Sequence, residues 1–244
     1  MGFYEEFAEK YDSLVSFENR MKRESGFYKK LFARHKVVKI LDCACGTGQH
    51  VIMFNKMGFE AKGSDLSPAM VRIARKNAKK RGVAADFRIA DFRKLRKAFR
   101  GEFDAVVCEG NSLPHLFRDA DLLQALREMR AVLRKGGLLM LQQRNYDMLL
   151  KKKKRFFPVS IRKDEVFFYA LDYLPGKITF NVIDVETGTG KFNVYSSDYN
   201  PLKKGRLAAL LRKAGFKSIA FYGDYNSSKF DVENDWSLLA VCKK

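Results

Sequence analysis

The residues of this sequence that could do chemistry fall at the ends of apolar runs. Asp42-Cys43-Ala44-Cys45-Gly46-Thr47-Gly48 follows the β-branched run Val37-Val38-Lys39-Ile40-Leu41 and precedes a helical pattern opened by Val51, Ile52 and Met53. A strand, a turn of small residues and a helix make the first half of a βαβ unit. Its turn lets backbone N–H groups approach a ligand at the helix N-terminus. A phosphate-cradling loop would need Gly-Lys-Ser/Thr, yet Gln49 and His50 stand where that Lys belongs. The dinucleotide fingerprint fails too, with Val51 in place of its third Gly. The residues alone leave open a turn that is small only so that helix can pack on strand.

What is present, Asp42-x-Ala44-x-Gly46-x-Gly48, resembles motif I of the class I S-adenosylmethionine-dependent methyltransferases, with Ala for the usual first Gly. That cofactor has no phosphate, so no Lys is needed. The resemblance implies cofactor contacts from Ala44, Cys45, Gly46 and Gly48. Asp65 ends the next strand-like run, Gly58–Asp65, seventeen residues past Gly48. This is close to the ~20 expected of an acid that accepts hydrogen bonds from ribose hydroxyls. Leu66 follows it on the same crevice, and Ser67 and Pro68 read as the N-cap and first position of a helix. Asp91 and Phe92 end the run from Ala85; Asp91 could accept from the adenine amino group while Phe92 stacks beneath the ring, or Asp91 could simply cap the following turn. Cys108, closing the fourth strand Phe103–Cys108, completes the expected cofactor wall.

The text after that strand, Gly110-Asn111-Ser112-Leu113-Pro114-His115-Leu116, lacks the Asn/Asp-Pro-Pro-aromatic tetrad of enzymes that methylate flipped bases. It closely resembles the corresponding segment of glycine N-methyltransferase and its glycine/sarcosine relatives. So does Arg144-Asn145-Tyr146-Asp147 at the end of the fifth strand. On that resemblance Arg144 clamps the carboxylate of a small amino acid, and Asn111, His115 and Tyr146 line the pocket. A guanidinium fork reads a planar carboxylate in a bidentate way. The residues themselves leave a structural ion pair open for Arg144. No strong general base stands out, and none is needed if the amine binds unprotonated. His115 reads as pocket wall before it reads as a base.

The elements that must position these residues form an α/β fold: a doubly wound, Rossmann-like, mostly parallel seven-stranded sheet. Its C-terminal antiparallel hairpin pairs Ser218–Tyr222 with Ser237–Cys242, after a helix over residues 203–214. A helix over 120–134 turns Leu122, Leu126, Met129 and Leu133 inward and ends at Gly136-Gly137. Between the fifth strand and the last helix, strand-like runs at 166–169, 178–182 and 192–195 are separated by Gly-containing turns. They predict a small inserted antiparallel sheet, a lid over the substrate side spanning 148–200. Residues 1–36 predict a helical cap, with Phe3, Phe7 and Tyr11 at helical spacing and a second amphipathic segment over 16–32. Tyr11 and Arg20 or Arg23 are its candidates for reaching the cofactor. All 244 residues are expected to form one domain.

Composition bounds the rest. The first thirty residues hold no apolar block, and no apolar run approaches the ~20 residues of a membrane span, so a cytoplasmic chain is expected. The four cysteines have no metal-ligand spacing to one another or to a His, which predicts buried thiols and no metal. Lys and Arg outnumber Asp and Glu 47 to 28, a formal charge of +19. That excess keeps nucleic acid open as a partner beside a small-molecule amine or amino acid, although only Lys151–Arg155 is dense. It equally suits adaptation to heat. An RNA or protein methyltransferase, and a cofactor-binding regulator without turnover, are the alternatives. The oligomeric state is not legible.

Overall fold

The computed structural model describes residues 11–12, 16–161 and 164–244; Phe3 and Phe7 lie outside them. Helix α1 (Phe17–Arg34) is capped by Ser16, whose hydroxyl accepts from Asn19 N–H. The motif unit then runs β1 (Lys39–Asp42), turn, α2 (Gln49–Lys56), followed by β2 (Glu60–Asp65) and α3 (Pro68–Lys80). Ser67 caps α3 and Pro68 opens it, as the sequence indicates. Next come β3 (Phe87–Ile89), the short α4 (Leu95–Ala98), β4 (Phe103–Cys108), α5 (Asp119–Val132) and β5 (Leu133–Arg144). After α6 (Tyr146–Lys152) lie β6 (Phe156–Ile161), β7 (Glu165–Leu174), β8 (Lys177–Glu186) and β9 (Phe192–Tyr199). The chain closes with α7 (Lys204–Lys213), β10 (Lys217–Tyr222) and β11 (Ser237–Lys243).

The seven-stranded sheet has the order β10-β11-β5-β4-β1-β2-β3, with β11 alone running antiparallel to the rest. Its central strands β1, β4 and β11 and the second half of β5 are buried on both faces, which is why they read as continuous apolar runs. One face packs α5 and α7 through Leu126, Met129, Leu207 and Leu211; the other packs α1, α2 and α3 through Phe32, Val51, Phe54 and Val71. Strand order reverses between β1 and β4, so the turns after these two strands splay apart. A crevice opens at that switch point. The second sheet is antiparallel, β6-β7-β8-β9, and lies between α6 and α7 in the chain.

The structure moves several boundaries. Helix α5 ends at Val132 rather than at residue 134, because Leu133 already pairs with Phe103. Gly136 (φ 74°) and Gly137 therefore do not terminate a helix. They form an irregularity inside β5, where the pairing jumps from Phe103↔Leu133 to Ala105↔Leu138. A side chain at Gly137 would meet two backbone carbonyls at 3.0 Å. The third strand is shorter than the run from 85 to 92, since Asp91 caps a single 3₁₀ turn. The inserted sheet has a fourth strand, β6, and helix α6 was not anticipated. Its N-cap is Asn145, whose side chain accepts from Met148 N–H.

Candidate active site

Two cavities meet at the carboxyl ends of β1, β2 and β4. The first, about 560 Å³, is walled by the turn Ala44–Thr47, by Asp65 and Leu66, and by Asp91 and Phe92. Asp65 ties the motif turn to the next helix: Oδ2 accepts from Gly46 N–H at 2.8 Å and Oδ1 from Ser67 N–H at 2.9 Å. The N–H of Gly46 is thus spent on Asp65 rather than presented to a ligand. Asp91 lines the cavity and also caps, accepting from the backbone N–H and guanidinium of Arg93. The capping reading of that residue is met, and the same carboxylate stands on the cavity wall. Leu66, 65% exposed, gives the cavity rim an apolar edge.

The second cavity, about 770 Å³, is walled by Asn111 from the turn after β4, Arg144 at the end of β5, Trp236 just before β11, and Phe157, Tyr169 and Tyr199 from the inserted sheet. The Arg144 guanidinium stands 4.7 Å from the centre of the Trp236 ring and 5.6 Å from that of Tyr169, whose hydroxyl accepts from Nη2 at 3.5 Å. No carboxylate lies within ion-pair distance of it among the described residues. It is a cation held by ring faces with its charge uncompensated. Asn111 sits in a left-handed turn, φ 64°, directly after Gly110 at φ 70°. Its Oδ1 accepts from Arg144 N–H and from the hydroxyl of Tyr146, each at 3.0 Å. A backbone N–H only donates, so that atom is fixed as oxygen and the amide N–H₂ is left for the cavity.

Tyr11, Arg20, Glu109 and Gly110 line both cavities. Tyr11 is held there by its neighbour: Asp12 accepts from Thr47 and Gln49 side chains at 2.7 and 2.8 Å and from Asn77 at 2.6 Å. Burial pushes the Tyr11 hydroxyl up to about 12, so it stays protonated. Behind the junction lies a buried charged group. His50 Nε2 is 2.8 Å from Glu24 Oε2 and 3.2 Å from Glu109 Oε2. Glu109 also accepts from the hydroxyls of Tyr28 and, at 2.7 Å, Tyr225. Arg20 Nη1 is 2.7 Å from the His50 ring nitrogen. Burial alone would raise Glu24, but His50 and Arg20 outweigh it and hold it down at about 2. Ligand atoms of Glu24, His50 and Glu109 lie within 4.8 Å of one another, yet a metal there would have to displace the guanidinium of Arg20.

A methyltransferase domain model matches residues 40–137. The chain is 34% identical to the glycine/sarcosine N-methyltransferase of Parasynechococcus marenigrum, over 99% of this chain and 84% of that one. It is 30% identical to the enzyme of the same name from Aphanothece halophytica, over 99% and 89% of the two chains. The chain belongs to the glycine/sarcosine N-methyltransferase family. The fold agrees: an S-adenosylmethionine-dependent methyltransferase from Clostridium acetobutylicum superposes with a TM-score of 0.80 at 17% identity, covering 98% of both chains.

As a methyltransferase of this family the protein uses S-adenosylmethionine, and the first cavity fits that molecule on physical grounds. Arg20 Nε is buried without a hydrogen-bond partner among the described residues, a donor that an anionic group such as the amino-acid carboxylate would satisfy. Asp65 and the apolar pair Leu66 and Phe92 flank the opposite side, where a diol and a ring would lie. Of the residues named from sequence for this side, Tyr11, Arg20, Ala44, Cys45, Gly46, Asp65, Leu66, Asp91 and Phe92 are on the wall. Gly48 and Cys108 are not. Gly48 lets α2 approach its neighbours: a Cβ there would lie 2.9 Å from Ala74 and from the Phe87 ring. Cys108 packs in the core with Leu41 and Cys43.

On the acceptor side the structure brings Asn111 and Arg144 to the second cavity, whereas His115 faces the first. Burial pushes His115 down to about 4, so it is a neutral wall against Tyr199, with ring centres 4.4 Å apart. Tyr146 lines neither cavity. It is fully buried and acts on Asn111 through its hydroxyl. Arg23 reaches the second cavity but pairs with Glu24, leaving the cofactor side to Arg20. The buried group of Glu24, His50 and Glu109 was not found from sequence. Its one signal was a Glu, a His and a Glu at positions where burial calls for apolar residues. The four cysteines are buried and unpaired. The basic run is divided, with Lys151 paired to Glu233 and Arg155 to Asp172. No helix among the described residues is long and apolar enough to cross a membrane.

Proposed function

We propose that this N-methyltransferase acts on glycine, sarcosine or a similarly small amino acid, bound in the second cavity by its carboxylate. The observation that carries this reading is Arg144: a guanidinium on the cavity wall, without a carboxylate partner among the described residues, beside an amide N–H₂ turned the same way. The names of the most similar curated relatives support the same acceptor class.

S-adenosylmethionine held by the first cavity would supply a methyl carbon already activated by its sulfonium, with S-adenosylhomocysteine as the leaving group when the acceptor nitrogen attacks in line. The protein's task is therefore alignment, and most of its contribution is the orientation that converts an encounter into an intramolecular geometry. Arg144 and Asn111 fix one end of the acceptor, and the walls shared by the two cavities place its nitrogen near the donor. Residues 148–200 serve as the cover of the acceptor side, which Phe157, Tyr169 and Tyr199 support, and residues 1–36 as the cap that carries Tyr11 and Arg20. We read residues 1–244 as one domain. Buried thiols without disulfides suit a cytoplasmic enzyme.

The test is product formation with glycine, sarcosine, dimethylglycine, other small amines and bulk tRNA, read by mass spectrometry. Methylated glycine or sarcosine with matching S-adenosylhomocysteine is expected. Methylated tRNA, or turnover only with amines that lack a carboxylate, contradicts the proposal.

A further inference from the structure

An amino acid arrives at neutral pH mainly as an ammonium, which has no lone pair with which to accept a methyl. Something must take its proton. His115 is desolvated and faces the other cavity, so it is poorly suited. At the junction of the two cavities a carboxylate is available. Glu109 stands between β4 and the left-handed turn of Gly110 and Asn111, lines both cavities and is buried. We propose that Glu109 is the proton acceptor of the transfer. This rests on the acceptor reading given above and deepens it.

The surroundings of Glu109 fit the role. From α1, Tyr28 donates to Oε1, while Glu24 and Arg20 face it through His50. His50 from α2 is 3.2 Å away, and Asp42 from β1 lies behind that ring, 3.9 Å from Nδ1. From the connection between β10 and β11, Tyr225 donates to Oε2. Burial first, and Glu109 second, push the Tyr28 and Tyr225 hydroxyls well above their ordinary value, so both remain donors toward it. In the step itself an N–H bond of the ammonium breaks with its pair left on nitrogen, and the proton bonds to a carboxylate oxygen of Glu109. The methylated product leaves as a cation, so one proton stays behind in each turnover. Glu109 lines both cavities, and once product has left it gives that proton to the water that enters them.

Glu109→Gln keeps the shape and one accepting oxygen, turns the other into an N–H₂ from which a Tyr28 or Tyr225 hydroxyl can accept, and cannot take the proton. With glycine, kcat/KM of the unmodified enzyme should be nearly flat from about pH 7 to about pH 9, while that of Glu109→Gln climbs about tenfold per unit with the neutral amine. A second readout is independent of turnover: calorimetric titration of glycine, and of acetate as glycine without its amine, into the complex with S-adenosylhomocysteine. Glu109→Gln should weaken glycine about tenfold or more and leave acetate within about twofold. A pH profile parallel to that of the unmodified enzyme, or equal losses for glycine and acetate, overturns the proposal. Should Glu109→Gln melt far below the unmodified enzyme, Glu109→Asp decides: a flat profile at a lower rate is expected, and a tenfold climb per unit contradicts the role. If the unmodified enzyme binds acetate but neither binds nor methylates glycine, the acceptor reading fails, an outcome distinct from an unchanged profile.

Discussion

The backbone N–H of Arg144 donates to Asn111 Oδ1 at 3.0 Å, tying the end of β5 to the turn after β4. One bond thereby sets two things: which way the Asn111 amide faces and where the strand carrying the guanidinium ends. Asn111→Asp should keep both accepted hydrogen bonds, because a carboxylate oxygen accepts equally well, yet it turns an anion toward the acceptor. KM for glycine is expected to rise about tenfold or more, with the melting temperature little changed. Steady-state kinetics and a thermal melt check this; an unchanged KM would show that the amide does not face the acceptor.

Asp65 is held by Gly46 N–H and Ser67 N–H, so its carboxylate is fixed before any ligand arrives. Asp65→Ala removes a charged acceptor and also frees the motif turn. Calorimetry with S-adenosylmethionine should show binding weakened about tenfold or more. Equal affinity would remove Asp65 from the ribose site.

Burial, the largest influence on Asp42, raises its carboxyl to about 6, against the partial relief of His50 and Ala44 N–H. A folded-state value above the unfolded one means that stability is lost as pH rises from about 4 through about 6, and the cost persists above. Asp42→Asn should therefore stabilise the protein at about pH 8 by up to roughly 3 kcal/mol, and hardly at all at about pH 4. Melting curves at the two pH values decide it, and an equal gain at both would point to packing rather than charge.

Gly48 combines φ 83° with neighbours 2.9 Å from an added Cβ. Gly48→Ala should cost roughly 2 kcal/mol or more, from the left-handed backbone together with overpacking against Ala74 and Phe87. Chemical denaturation measures it. A loss confined to cofactor affinity would instead make Gly48 a ligand contact.

The sequence made the fold legible because each parallel strand announces itself. Ile40-Leu41 and Val106-Val107 are buried on both faces and need no partner to be recognised. Ser67 and Pro68 likewise carry their own capping chemistry. Elements whose logic lies elsewhere in the chain were harder. Gly136-Gly137 looks like a helix stop, and only the pairing of Leu133 with Phe103 turns it into a kink within β5. Helix α6 is too short for a periodic signal. In the site, Arg144 and Asn111 were legible through the resemblance of their segments, Gly110–Leu116 and Arg144–Asp147, to glycine N-methyltransferase. Glu24, His50 and Glu109 come from three elements far apart in sequence, and their meeting depends on how α1 crosses α2. Tyr146 was placed in the right neighbourhood with the wrong contact, since its hydroxyl serves Asn111 rather than the cavity.

Arg144 offers the most direct test of the acceptor site. Initial rates with glycine should be compared among the unmodified enzyme, Arg144→Lys and Arg144→Ala, with S-adenosylmethionine affinity measured in parallel by calorimetry. The account predicts that kcat/KM falls about 100-fold or more in Arg144→Ala, mainly through KM, with Arg144→Lys intermediate and cofactor affinity within about twofold. Glycine turnover that survives Arg144→Ala, or a loss that follows cofactor affinity instead, would contradict it.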